Sequence, residues 1–562
     1  MTDGAPELKV GPLLRYVAET EATIWVETDR ACQVTILGHQ AQTFEVAGHH
    51  YALVVLDGLR PGQEYEYQVA LDGTVRWPEP GSDFPPSVLR TTEPDRPVRL
   101  VYGSCRIDEL PVPRHHGSPQ RQRRRAEEDE KQHGPDAMVA YALDLKRASS
   151  DERPDLMLLI GDQVYADNPG PGLREHIDQT RGAEIPPGYE VANFAEYCFL
   201  YCEAWTEPSV RWLLSVVPTA MIFDDHDVHD DWNTSATWRR EYAAKPWWPE
   251  RIRSAYMSYW IYQHIGNLSP AELAKNELWQ QMQTPGDHAD VLGEFAVRAD
   301  QPGAERQAEG VQWSYRRTFG GVRVVVIDSR GGRVVEGERL MVDDAEWQWV
   351  VESVAGDWDH VVLASSLPLL LPDGIHEMEA WNEAVCGGAW GRRLAGLGER
   401  VRQELDLEHW SAFGASFRRF EDLLTDLATG AHGAPPATVT VIGGDIHHSY
   451  LAAVEFPAGT NPRSAVYQAV CSPIHNVLPE HYKRLHQLTT SRAGGVLGAT
   501  LAKLAGASRP RITWRITEGS WFHNMLSALE YDGRRARIRF ARAVCDDASV
   551  PHLQSLCETD LT

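Results

Sequence analysis

From residue 8 to about residue 93, apolar and polar residues alternate in short runs: Ala22-Thr-Ile-Trp-Val-Glu, Cys32-Gln-Val-Thr-Ile-Leu, Tyr51-Ala-Leu-Val-Val-Leu and Glu64-Tyr-Glu-Tyr-Gln-Val. A period of two marks strands with one buried face. Turn formers such as Arg60-Pro-Gly and Leu71-Asp-Gly separate the runs. Short strands at this spacing predict a small β-sandwich of the Ig/fibronectin kind. The proline-rich stretch from Asp83 to Pro97 reads as a linker.

Beyond it the pattern changes. Val98-Arg-Leu-Val-Tyr-Gly, Asp155-Leu-Met-Leu-Leu-Ile, Thr219-Ala-Met-Ile-Phe, Val322-Arg-Val-Val-Val-Ile, His360-Val-Val-Leu-Ala and Thr438-Val-Thr-Val-Ile are almost continuously apolar. Such strands belong to sheets covered on both faces. Helical stretches are predicted between them, at Asp136–Arg147, Phe194–Leu214 and Asp343–Val354. Strand alternating with helix is the α/β pattern. Further strands are expected at Val466–Val470 and from Leu529 to Phe540, with Asp532-Gly533 as a hairpin turn. The expected organisation is an all-β unit over residues 1–95 and an α/β unit over residues 96–562. The mixed-charge run Arg121–Lys131 reads as a solvated helix face.

Of the 562 residues, 43% are hydrophobic and 24% charged, enough to bury a large core. The net charge of −26 argues against a nucleic-acid backbone or an anionic membrane as a general partner. The N-terminus MTDGAPELKV has no basic, then apolar, leader, and no run of apolar residues is long enough to span a bilayer. A cytoplasmic location is therefore expected. The eight Cys are scattered and do not form a disulfide framework.

The chemistry-bearing residues follow the buried strands. After the first come Gly103-Ser-Cys105-Arg106, after the second Gly161-Asp162-Gln-Val-Tyr165, and after the third Asp224-Asp225-His226. Ser365-Ser366 follow the strand from His360, and Gly443-Gly-Asp445-Ile-His447-His448-Ser449 the strand from Thr438. In open α/β sheets ligands bind beyond the carboxyl ends of strands, so residues far apart in sequence converge there. Gly, Asp and Ser are ordinary turn residues, but His, Cys and Tyr are not. Carboxylate, thiol, phenol and imidazole together make a mixed hard and soft metal-ligand set. A carboxylate shared between two cations clamps an in-line phosphoryl displacement, and a neighbouring His can protonate the leaving oxygen.

The set GSC, GDxxY, DDH and GDIHHS resembles the alkaline phosphatase D (PhoD-like) metallophosphoesterases over residues 96 to 545. The resemblance implies a four-layer α/β/β/α sandwich preceded by an Ig-like domain. It implies metal-dependent hydrolysis of phosphate esters, diesters in particular, by a metal-held hydroxide attacking in line. Cys105, Asp162, Tyr165 and His447 would hold the first metal. Asp162, Asp225 and Asp445 would hold the second, and His226 would protonate the leaving group. Arg106 would hold a phosphate oxygen, with a structural ion pair as its other reading. Fe³⁺ and Ca²⁺ are implied, with Zn²⁺ or Mn²⁺ as alternatives for the second metal. Relatives with a GHxH motif carry a further His after the preceding strand, whereas this chain has Leu363-Ala-Ser-Ser-Leu-Pro. That leaves an oxygen-richer second site, which favours hard cations. A monomer acting on a small phosphate ester is expected. Alternatives are a phospholipase D-like activity and a non-catalytic binding protein on the same fold.

Asp328-Ser-Arg330 resembles a DTR-like family element and reads as structural or substrate-positioning. Asp224 and Asp227 would orient the ligands from behind. Asp230, Asp231 and His229 read as solvated or as part of a further cation site. Ser449 reads as a supporting hydrogen bond, Cys198 and Cys202 as buried thiols, and Trp238–Trp260 as core or cleft wall.

Overall fold

The structure is a computed structural model and describes residues 4–107, 134–301, 306, 311–478, 483 and 492–562. The charged run Arg121–Lys131 lies outside the described residues.

The front of the chain is all-β. One antiparallel sheet contains Leu8–Val17, Ala22–Thr28, His49–Leu56 and Phe44–Val46, and a second contains His39–Gln42, Gln33–Ile36, Val69–Leu71 and Thr74–Trp77. Their alternate residues, among them Ile24, Val34, Val54 and Val69, meet in one apolar cluster. The opposite face of the first sheet is also buried. Leu13, Trp25, Tyr51 and Leu53 join the core of the body. The stretch expected to be a linker holds a strand, Val88–Arg90, paired with Glu64–Glu66. Val88-Leu-Arg alternates between its flanking prolines, which suffices for a short edge pairing.

The body has two sheets. The first runs Thr219–Ile222, Leu156–Ile160, Val98–Gly103, Met525–Asp532, Arg535–Cys545, Pro551–Asp560, its first three strands parallel. The second runs Tyr315–Phe319, Val322–Ile327, His360–Ser365, Thr438–Gly443, Ala465–Val470, Ser449–Glu455, Thr513–Trp521, with a parallel centre. Side-chain alternation decides the layering. Val324 and Val326 face the core shared with the first sheet, while Val325 and Ile327 face Phe417, Phe420 and Leu424 on the helix Gly414–Thr429. The same reversal repeats at Val362 and Leu363. Two sheets stack with helices outside, the expected four layers.

The helix expected over Phe194–Leu214 is two, Phe194–Trp205 and Pro208–Val216. Pro208 disfavours helical backbone at Glu207, and the Glu207 side chain then caps the second helix through the Val210 N–H. Asp136 and Asp343 cap the other two predicted helices. The Asp532-Gly533 hairpin forms as expected. No helix among the described residues is long and apolar enough to cross a membrane.

Candidate functional site

Seven parallel strands, three from the first sheet and four from the second, lead into the loops that carry the site. Gly161 and Gly444 allow the loops to crowd together. A Cβ on Gly161 would lie 2.8 Å from Asp224 Cβ, and one on Gly444 2.2 Å from Ser104 Oγ. Cys105, Asp162, Asp445 and His447 all have positive φ, between 49° and 64°. Non-glycine residues tolerate that conformation at a cost, which surrounding packing must offset, and such strain gathers at functional sites.

The ligand atoms of Cys105, Asp162 and His447 lie within 4.8 Å of one another. A second group, Asp162, Asp225 and His226, meets the same limit, and so does a third, Asp224, Asp225 and Asp445. Asp162 thus belongs to both sides. Tyr165 stands over it, with its hydroxyl 3.4 Å from Asp162 Oδ2 and accepting from Asn476 Nδ2 at 2.9 Å. Cys105 Sγ is met by Ser104 Oγ at 3.3 Å and Ser472 Oγ at 3.2 Å. Ser449 Oγ in turn accepts the Ser472 N–H, the supporting bond expected of it.

Burial, followed by the neighbouring charges of Asp162 and Asp445, pushes the Cys105 thiol well up. Burial also pushes the Asp162 carboxyl well up; the charge of His226 opposes this, and Asp225 and Asp224 reinforce it. Asp162 Oδ1 and Asp224 Oδ2 are buried with no hydrogen-bond partner among the described residues. Buried carboxylate oxygens without donors are costly. Cations would satisfy them, so the donor set fits metals. Thiol, phenol, imidazole and carboxylate suit a transition metal at Cys105, and three carboxylates suit a hard ion at Asp445.

His226, the expected acid, is held by Asp167, whose oxygens lie 2.9 and 3.0 Å from Nδ1. Burial most strongly disfavours the charged ring, yet Asp167, Asp225 and Asp162 together hold its pKa well above the ordinary value. Its ring also lies against Tyr165, centroids 4.4 Å apart.

Arg330 is the residue the sequence undervalued. It is fully buried. Its Nε bonds Asp224, its Nη1 lies 2.6 Å from Glu408 Oε2, and its Nη2 lies 3.1 Å from Asp225 Oδ1 and 3.8 Å from Asp445 Oδ1. Carboxylates this close in a protein interior repel by roughly 3 kcal/mol per pair at an effective dielectric near 20. One guanidinium among four carboxylates offsets much of that. His409 adds a second positive partner, with Nε2 3.2 Å from Asp445 Oδ2 and Nδ1 2.6 Å from the buried Glu379. The motif after the strand at Val322 hinted at Arg330, but nothing near His409 in sequence pointed to the site.

Arg106 departs from the phosphate-holding expectation. Its Nε pairs with Asp136 at 2.8 Å and its Nη1 donates to the Ala204 carbonyl at 2.8 Å. That is the structural ion pair, and it anchors the N-cap of the helix Ala137–Arg147. Asp227, expected to orient Asp225 and His226, instead accepts the Asp224 N–H at 2.9 Å and Gln263 Nε2 at 3.0 Å. Of the residues read as solvated, Asp230 is exposed, but His229 and Asp231 are largely buried. Burial, followed by Glu408 and Asp406, pushes Asp231 up to about 10.

The model of the PhoD-like phosphatase family matches residues 138–503, well over half of the chain. The chain belongs to the PhoD-like phosphatase family. It is accordingly a phosphoric ester hydrolase. Residues 5–89 match a domain of unknown function, DUF7800. A solved structure titled "Structure of PhoD" aligns over 100% of this chain and 93% of its own, with a TM-score of 0.57 at 12% identity, and supports the fold. A maltogenic amylase from S. marinus aligns with a TM-score of 0.16 at 9% identity over 96% of this chain and 78% of its own, too low to carry an argument. No curated protein matches the chain.

Proposed function

We propose that this PhoD-like phosphatase is a metal-dependent phosphodiesterase. The observation that carries the reading is Asp162, whose carboxylate is shared by the Cys105–His447 group and the Asp225–His226 group. In this reading Cys105, Asp162, Tyr165 and His447 hold Fe³⁺, and Asp162, Asp225 and Asp445 hold a harder ion such as Ca²⁺. Bound there, the two cations would polarise the phosphate and lower the pKa of a water that serves as nucleophile. The protein's own groups do the rest. The carboxylates fix the separation of the two poles. Asp167, bonded to His226 Nδ1, leaves Nε2 to deliver a proton to the departing alcohol. Arg330 and His409 hold Asp225 and Asp445 in place from behind. The unit over residues 96–562 carries this chemistry, and the unit over residues 1–95 braces it from outside.

Protein stripped with chelator and reconstituted with Fe³⁺ and Ca²⁺ is the test. Recovery of aryl phosphodiester hydrolysis, faster than that of the matching monoester, is expected, together with charge-transfer colour that Cys105→Ser weakens. Reconstituted protein that binds less than one metal per chain and leaves the diester intact sinks the proposal.

A further inference from the structure

Large apolar side chains in the open are few among the described residues, and they are unevenly spread. Six of the ten most exposed lie on or at the end of two helices, Arg392–Glu404 and Arg492–Ala505. They are Leu394 (43% exposed), Leu397 (55%), Leu405 (49%), Val496 (70%), Leu497 (61%) and Leu504 (68%). The spacing is helical on each. Leu394, Leu397, the partly exposed Val401 and Leu405 fall on one face of the first helix, and Leu497, Leu501 and Leu504 on one face of the second. Both helices pack on Asp373–Cys386. They meet where Trp390 Nε1 donates to the Leu504 carbonyl at 3.3 Å. The exposed stripes therefore belong to one helical unit.

The charge of the two outer helices opposes that of the chain, while the helix they pack on, Asp373–Cys386, carries four acids. Residues 392–405 carry four Arg against two Glu, and residues 492–505 carry Arg492 and Lys503 against no acid, a net of +4 within a chain of −26. Arg393, Arg400 and Lys503 are exposed beside the apolar stripes, with Arg392 exposed at the start of the first helix and one acid, Glu404, exposed at its end. An apolar stripe rimmed by Lys and Arg on surface helices is what a helix lying in a bilayer interface presents. Each basic residue near an anionic leaflet contributes about 1 kcal/mol. Two copies docked through this face would instead set like charge against like.

We infer that this helix pair is a docking surface for an anionic lipid bilayer. The first helix runs into Asp406, Glu408 and His409 at the edge of the metal centre, so docking would bring that edge to within about one helix length, ~20 Å, of the bilayer. This orientation matters for turnover only if the phosphodiesterase reading holds; the docking does not depend on it.

The full-length metal-loaded protein can be sedimented with vesicles of phosphatidylglycerol and phosphatidylcholine, and with phosphatidylcholine alone, at low and high salt. Binding is expected only where phosphatidylglycerol is present, and salt should weaken it. Leu394→Glu/Leu397→Glu/Leu504→Glu should lose more than about tenfold in partition while hydrolysing a soluble aryl phosphodiester like the parent. Should that variant misfold, Arg392→Gln/Arg393→Gln/Lys503→Gln, which leaves the stripes intact, should still weaken binding to anionic vesicles severalfold. A parent that does not sediment with anionic vesicles overturns the inference. So does a parent dimer that either variant converts to monomer with no change in vesicle binding. A parent that binds vesicles but hydrolyses no diester upholds the docking and sinks the phosphodiesterase reading instead.

Discussion

Cys105, Asp162 and His447 form one pole of the centre, and Asp224, Asp225 and Asp445 the other. At the first pole the donors are chemically mixed, and neutral hydroxyls of Ser104 and Ser472 support the thiol. At the second they are all carboxylates, and the Arg330 guanidinium is already buried among them. On the proposed two-cation reading, the first pole would rely on a bound cation for most of its charge balance, while Arg330 and His409 already offset part of the charge at the second. An ion at the second pole is expected to be held less tightly and to exchange more readily. It would tune the site that the first ion anchors.

Removing what the poles share should have the largest effect. Asp162→Asn is expected to lower diester turnover by several kcal/mol of barrier, roughly three decades, and to reduce the metal content of both poles. Parent-like turnover in metal-replete buffer would break the comparison at its root. Next comes Arg330→Gln. It should weaken binding of the harder ion by about 10–100-fold and, by leaving buried carboxylates uncompensated, lower unfolding stability by about 3 kcal/mol. The colour of the first pole should persist. If titration calorimetry shows calcium binding unchanged while the colour disappears, the two poles have been assigned the wrong way round. Asp167→Asn tests the acid instead of the metals. A loss of about tenfold is expected for diesters with poorly leaving alkyl alcohols and much less for nitrophenyl esters, because only the former need a proton delivered. Equal losses for both would point to a structural role for Asp167.

The smallest effect lies outside both poles and serves as a control. His376 is buried against Phe417 and Trp514, and burial lowers its pKa to about 3. The folded chain keeps it neutral while the unfolded chain protonates it near pH 6.5. Stability is therefore lost as pH falls from about 6.5 towards 3, by at most ~1.4 kcal/mol per pH unit from this residue. His376→Phe should flatten that slope in denaturant titrations at pH 6.5 and 5 without touching turnover. An unchanged slope would exclude His376 as its source.

Much of this was legible in the chain. The six near-continuous apolar strands of the body appear where the pattern placed them, because burial on both faces leaves no alternative composition. The strands Tyr315–Phe319, Ser449–Glu455, Thr513–Trp521 and Pro551–Asp560 were not foreseen. Thr513–Trp521 and Pro551–Asp560 lie at sheet edges with much of their length exposed, so weak hydrophobic alternation suffices. Within the site, Cys105, Asp162, Asp225, Asp445 and His447 were legible because each directly follows a strand. Glu408 and His409 follow a helix, and Glu379 lies within one, where no local pattern marks a site.

The acidic run Asp224–Asp231 shows the division most clearly. The sequence alone determined that it follows a buried strand and so reaches the ligand edge of a sheet. The tertiary structure decided the place of each carboxylate: Asp224 and Asp225 on Arg330, Asp227 under the Asp224 N–H, Asp230 in solvent and Asp231 half-buried. Strand propensity and burial act over a few neighbouring residues and are written locally. Charge compensation is satisfied by whichever group the fold brings near, and here that group lies about a hundred residues away.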